Sequence, residues 1–96
     1  MTNIAPGTAI TADGEYSFTP TRTSPLVQVK GDLGGGTVTF GVLDAAGAFA
    51  PILETDGTAI TTAIPGVLQF PTSRQLAISL DGATEPDFAI NFLATD

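Results

Sequence analysis

Leu26-Val-Gln-Val-Lys-Gly-Asp-Leu33, Gly34-Gly35-Gly36 and Thr37-Val-Thr-Phe-Gly-Val-Leu43 form one continuous stretch, and the fold class follows from it. Two runs alternate apolar and polar residues on either side of three consecutive glycines. Period-2 alternation over four to eight residues is the mark of a half-buried strand. Glycine tolerates positive φ, so a glycine triplet marks a sharp reversal or a bulge. The stretch predicts a β-hairpin with Val27, Val29, Val38, Phe40 and Val42 facing inward.

The rest of the chain repeats the pattern. Arg74–Leu80 puts Leu76, Ile78 and Leu80 on one face, and Phe88–Leu93 does the same with Phe88, Ile90 and Phe92. Shorter extended runs are Thr8–Thr11, Glu15–Phe18 (Tyr16 and Phe18 on one face), Thr58–Thr62 and Val67–Phe70. Phe49–Leu53 contains Pro51, which has no N–H to donate, and so belongs on a sheet edge. Thr19–Pro25 reads as a connection. Ala12-Asp-Gly14, Asp44-Ala-Ala-Gly47 and Asp56-Gly57 are turns, the glycines supplying positive φ. No stretch has a helical period. About eight short strands with turn signals every 8–12 residues predict an all-β fold, a small antiparallel β-sandwich of jelly-roll or Ig-like type. Residues 1–7, with Pro6-Gly7, read as an extended N-terminal arm with Ile4 as its apolar anchor, and 8–96 as a single sandwich domain.

Composition narrows the function. The chain has 96 residues, 43% apolar and 14% charged, which suits one globular domain rather than a disordered chain. Of its 41 apolar residues 13 are alanine, so the core is thin for its length. There is no cysteine and no histidine, hence no disulfide and no Cys/His zinc site to reinforce that core. Contacts between subunits are the remaining common reinforcement. Net charge is −7 with 3 Lys and Arg in total, which argues against nucleic acid and against anionic membranes. The first residues lack a basic, then apolar, leader, and no apolar run approaches the ~20 residues of a membrane helix. Synthesis and folding in the cytoplasm of the producing cell are expected.

Catalytic chemistry finds little to use. A nucleophile needs an adjacent base, most often His, and Ser17, Ser24, Ser73 and Ser79 have only Lys30 as a lysine partner, with no motif linking them. The pairs Asp13/Glu15 and Glu85/Asp87 have the spacing that puts two carboxylates on one strand face, but both lie at turn margins with no aromatic cleft. Asp81-Gly-Ala-Thr-Glu-Pro-Asp87 holds three carboxylates in seven residues, without the ligand pattern of a calcium loop. The glycine triplet lacks the Gly-Lys-Ser/Thr ending of a phosphate loop. With no Trp and one Tyr, no aromatic platform for sugars is visible. The reading is a protein that is not an enzyme, with no cofactor and no metal.

Two further features stand out. Gly7-Thr-Ala-Ile-Thr11 recurs as Gly57-Thr-Ala-Ile-Thr61, and with two extra residues in the second copy Phe18 aligns with Phe70 and Arg22 with Arg74. This could trace a duplicated half-sandwich, although coincidence is the expected explanation in a chain so rich in Thr, Ala and Gly. Leu26, Leu43 and Leu93 fall on the outward side of strands whose other face is apolar. Strand ends and isolated exposed apolar residues explain such leucines equally well. As contact residues, they and Ile4 form the candidate interface of a homo-oligomer.

Gly31-Asp-Leu-Gly-Gly-Gly-Thr-Val-Thr-Phe-Gly-Val42, followed by Asp44-Ala-Ala-Gly47 and by Arg74-Gln-Leu-Ala-Ile-Ser-Leu-Asp-Gly-Ala-Thr84, resembles small structural proteins of tailed bacteriophages. It is similar to capsid decoration (cement) and head-fibre proteins, which are short, acidic, cysteine-free β-sandwiches. The likeness is one of texture over about two-thirds of the chain. The aromatic-rich segment such proteins often carry after the second hairpin strand is replaced by Ala48-Phe-Ala-Pro51. The resemblance implies no catalytic residues. It implies a homo-oligomer, often a trimer, bound to the major capsid protein on the virion surface. The alternative is a receptor- or glycan-binding module of a phage tail or fibre.

Overall fold

The computed structural model describes residues 1–18, 26–69 and 76–93. The expected connection Thr19–Pro25, Phe70, both arginines, Ser24 and Ser73 lie outside the described residues. Among the described residues there are nine strands: β1 (Thr2–Ile4), β2 (Gly14–Phe18), β3 (Leu26–Asp32), β4 (Thr37–Leu43), β5 (Phe49–Pro51), β6 (Thr61–Thr62), β7 (Gly66–Gln69), β8 (Leu76–Asp81) and β9 (Asp87–Phe92). They form two sheets. Sheet I has the order β1-β2-β8-β4, and the far edge of β4 is shared by β5 and β6. Sheet II has the order β7-β3-β9, with Ile10 bridging to Phe88 on the far edge of β9. All pairings between strands are antiparallel except β1 with β2. The protein is a small all-β sandwich, as the alternation predicts.

The stretch Leu26–Leu43 is not a hairpin. β3 pairs with β7 and β9 in sheet II, whereas β4 pairs with β8, β5 and β6 in sheet I. Residues 33–36 are an arch that carries the chain from one sheet to the other. A hairpin would hold its turn out in water, but Leu33 is only 3% exposed and Gly36 is buried. Burying Leu33 between the sheets makes Val27 and Val29 face Val38 and Phe40 across the core instead of lying beside them.

A second arch, residues 82–86, joins β8 to β9 and nests against the first. Thr84 N donates to Gly34 O (2.9 Å), Gly36 N to Leu33 O (3.0 Å) and Gly34 N to Asp32 Oδ1 (2.8 Å). The ladder therefore runs Asp32 opposite Asp87 in sheet II and resumes with Thr37 opposite Asp81 in sheet I. A third crossing, residues 11–13, leads from Ile10 beside β9 to β2 beside β8. Its Asp13 carboxylate accepts from Gly82 N (3.2 Å) and Ala83 N (3.0 Å). The Asp81–Asp87 loop is thus a structural crossing, with the N–H groups of Gly82, Ala83 and Thr84 bonded to its neighbours.

The two halves of the chain trade places. The first half gives β2 and β4 to sheet I and β3 to sheet II; the second gives β7 and β9 to sheet II and β8 to sheet I. The rows of paired residues match. Tyr16–Ile78–Phe40 in sheet I corresponds to Leu68–Val27–Phe92 in sheet II, and Gly14–Leu80–Val38 to Gly66–Val29–Ile90. The sandwich has an internal pseudo-two-fold plan. The repeated pentapeptides run along the equivalent strands β9 and β4 but out of register. Ile10 pairs with Phe88 at the start of β9, whereas Ile60 O accepts from Phe40 N in the middle of β4. The likeness of the halves lies in their strand plan, not in that motif.

Nine of the eleven residues expected to face inward are buried, and Val42 and Phe92 are half-buried. Ile10, Phe18 and Leu33 complete the core. Phe18 and Phe92 meet edge to face across the sheets, with ring centroids 5.7 Å apart, a geometry worth about 0.5–1.5 kcal/mol beyond its burial.

The N-terminal residues are not a free arm. Thr2–Ile4 pairs in parallel with Tyr16–Phe18, and Asn3 Nδ2 donates to Ser17 Oγ (2.9 Å). Ile4 is half-buried and packs against the core. The turn Ala5-Pro-Gly-Thr8, closed by Thr8 N to Ala5 O (3.1 Å), then sends the chain across to sheet II, where Gly7 N donates to Ile90 O (2.9 Å). The segment closes the open side of the sandwich because β2 and β9 would otherwise both present unpaired edges. Ile4→Ala should therefore lower the free energy of unfolding by about 1–2 kcal/mol, less than for a fully buried isoleucine. A urea titration reads this, and an unchanged midpoint would restore the free-arm reading.

Candidate contact surface

Each outer sheet face follows from the same alternation that builds the core. On sheet II, β3 presents Leu26, Gln28 and Lys30, β9 presents Ala89 and Asn91, and β7 presents Val67. Val67, Gln28 and Asn91 form one row across the three strands. Asn91 Nδ2 reaches Gln28 Oε1 at 3.4 Å. The chain leaving β9 stays beside β3, with Leu93 N donating to Leu26 O (3.1 Å), so Leu26 and Leu93 end up as neighbours. Val67 is 55% exposed. Lys30 is charged, and the same alternation places the ladder partners Asp32 and Asp87 at the crossing end of this face.

The carboxylates gather around the crossings. Asp13, Asp32, Asp81, Glu85 and Asp87 all lie in or beside the three crossings, at one end of the sandwich. Asp32 and Asp87 are direct ladder partners there, an unfavourable pairing of like charges. Among the described residues no group of three His, Cys, Asp or Glu side chains is placed to hold a metal ion. Ser17 is buried, and its Oγ accepts from Asn3 Nδ2. Lys30 lies on the outer face of the opposite sheet.

Of the four residues the sequence singled out as interface, the fold brings two together. Leu26 and Leu93 share the outer face of sheet II. Leu43 is on the outer face of sheet I, opposite Phe49 in the β4–β5 ladder, and half-buried. Phe49 turns its ring over Gly41, where a Cβ would come within 2.7 Å of the ring's Cε1. Leu43 thus has a local apolar neighbour, and it belongs to a different surface from Leu93. Ile4 belongs to the core edge. The surface residue missed is Val67. Its run is too short to alternate clearly, and the signal for it was the adjacent Pro65-Gly66 with no charge before Gln69.

β5 leads into a second hairpin, residues 52–60, that departs from sheet I at Phe40: Ile52 N donates to Phe40 O and Phe40 N to Ile60 O (both 2.9 Å). Its tip is the expected Asp56-Gly57 turn, closed by Gly57 N to Glu54 O (2.9 Å). The Asp44–Gly47 turn is built in the same way, with Gly47 N donating to Asp44 O (2.9 Å). At the hairpin tip Thr58 donates both its hydroxyl (2.6 Å) and its N–H (2.9 Å) to Asp56 Oδ1. These two bonds, the hydroxyl first, hold the Asp56 carboxyl below the ordinary carboxylate range. Leu53, at the base of the hairpin, is exposed.

No family model, no curated protein and no solved structure matches this chain.

Proposed function

We propose that this protein is a non-enzymatic structural component of a virion, a capsid decoration protein that binds the major capsid protein as an assembly of copies. The observation that carries the reading is the separation of its surface. The part of the sheet II face that holds Leu26, Leu93 and Val67 bears no carboxylate, and the five carboxylates gather at the crossing end, where Asp32 and Asp87 close that face. Contact faces are depleted of charge at their centre, and the acidic end is suited to remain in solvent. The small apolar core, without disulfide or zinc, gains from being mounted on something larger. The resemblance to phage head proteins supplies the partner class.

The test is binding to empty heads that lack the protein, read by co-sedimentation. Wild type should saturate them, and Leu93→Asp should weaken binding about tenfold or more with unchanged circular dichroism. Wild-type protein that stays in the supernatant would overturn the reading.

The 52–60 hairpin favours a second reading, a receptor- or glycan-binding module of a tail or fibre, because it carries exposed Leu53 out from the sheet. Retention on a glycan array, lost in Leu53→Asp, would select this reading.

A further inference from the structure

We propose that β7 is a self-association edge, and that two copies join their second sheets by antiparallel β7–β7 pairing across a two-fold axis. An unguarded strand edge is a template for another strand, and proteins usually block such edges with a charge, a proline, a bulge or a covering segment. Several strands of this sandwich carry such a cover. β1 lies along β2. Residues 7–10 lie along β9, with Gly7 N on Ile90 O and Ile10 bonded to Phe88 in both directions. β5 and β6 lie along β4, and β5 carries Pro51.

Among the described residues the short end strand β1 is uncovered, and so is β7. β7 pairs with β3 on one side, and no described strand lies along its other edge. Its sequence Gly66-Val-Leu-Gln69 has no charge and no proline, and Val67 and nearby Ile64 are 55% and 70% exposed. The internal pseudo-two-fold sharpens the contrast. The counterpart of β7 is β2, whose edge is covered by β1, so the plan of this fold admits one more strand at that position.

Charge argues for a second copy in the two-fold orientation. Each copy carries −7, so association requires a place free of carboxylates and an arrangement that separates the rest. Gly66 pairs with Val29 and Gln69 with Leu26, so the crossings with their carboxylates lie beyond the Gly66 end of β7. Antiparallel pairing of two β7 strands sends those acidic ends to opposite ends of the dimer. It also satisfies both open edges at once and closes, as isologous contacts do.

The inference rests on the assembly part of the proposed function and not on its capsid part. Sedimentation velocity of the full chain at tens of micromolar should show a dimer, and Val67→Lys should raise its dissociation constant about tenfold or more with circular dichroism unchanged. Leu93→Asp should keep the dimer while losing heads, which separates this edge from the capsid-binding face. A wild-type monomer throughout, or a folded Val67→Lys that remains dimeric, overturns the proposal. Should Val67→Lys fail to fold, amide hydrogen exchange of wild type decides. Slowing along β7 with rising concentration supports the edge, and concentration-independent exchange there refutes it.

Discussion

Gly34→Ala should destabilise the protein by about 3 kcal/mol, and Gly35→Ala by about 1 kcal/mol, although the two residues are adjacent and both have positive φ, +63° and +79°. The left-handed backbone penalises any Cβ at both positions by about 1–2 kcal/mol. The difference comes from the second arch. A Cβ on Gly35 meets nothing within 4 Å, whereas a Cβ on Gly34 would fall against the Thr84 carbonyl oxygen, with Thr84 N 3.1 Å away. Both neighbours are backbone, so relief requires moving residues 82–86. That strains the Thr84 N to Gly34 O bond and the Asp13 contacts to Gly82 and Ala83. Urea denaturation of the two variants reads the difference directly. Equal losses would mean that the arches do not press on each other and that a free turn, as in a hairpin, is the better description of residues 33–36.

Phe40→Ala should have the largest effect of any single truncation, about 3–5 kcal/mol. Phe40 is fully buried, and its ring belongs to the row Tyr16–Ile78–Phe40 at the centre of sheet I. Its backbone holds the 52–60 hairpin through Ile52 and Ile60. An alanine there leaves a cavity walled by strands on both sides, which cannot collapse without breaking ladders. Small domains have a total stability of about 5–15 kcal/mol, and 1 kcal/mol shifts the melting temperature of a domain of this size by about 4–8 °C. Phe40→Ala should therefore melt on the order of 20 °C lower by calorimetry. Phe49→Ala, which uncovers only the outer face over Gly41, should cost much less. Comparable losses would place the centre of the core elsewhere.

How far the sequence could be read depended on the range of each interaction. Turn chemistry is local. The Asp44–Gly47 and Asp56-Gly57 turns and the edge position of β5 were legible because glycine, aspartate and proline act within a few residues of themselves. The inward faces were legible for the same reason, since alternation along one strand decides which side chains share a face. The glycine triplet misled because positive φ and small size suit a hairpin turn and an arch equally well. What distinguishes them is the burial of Leu33 and the pressure of Ala83 and Thr84 on Gly34 and Gly36. Those partners lie about fifty residues away in sequence, beyond the range of turn chemistry. The N-terminal stretch misled in the same way. Extended backbone looks alike whether it is free or paired, and only the open edge of β2 makes it β1.

By itself the sequence determined an all-β chain, its turns, most of its core residues and the scarcity of catalytic side chains, since neither His nor Cys is present. The tertiary structure alone decided that β3 and β4 belong to different sheets and that the two halves exchange strands. It also decided that Leu26 and Leu93 share a face that Leu43 does not, and that no described strand lies along the outer edge of β7. The physical reason is that period-2 alternation orients side chains relative to their own strand and carries no information about the neighbouring strand. Pairing is decided by which rows of side chains fit across the core once the arches nest, a long-range property of the whole chain.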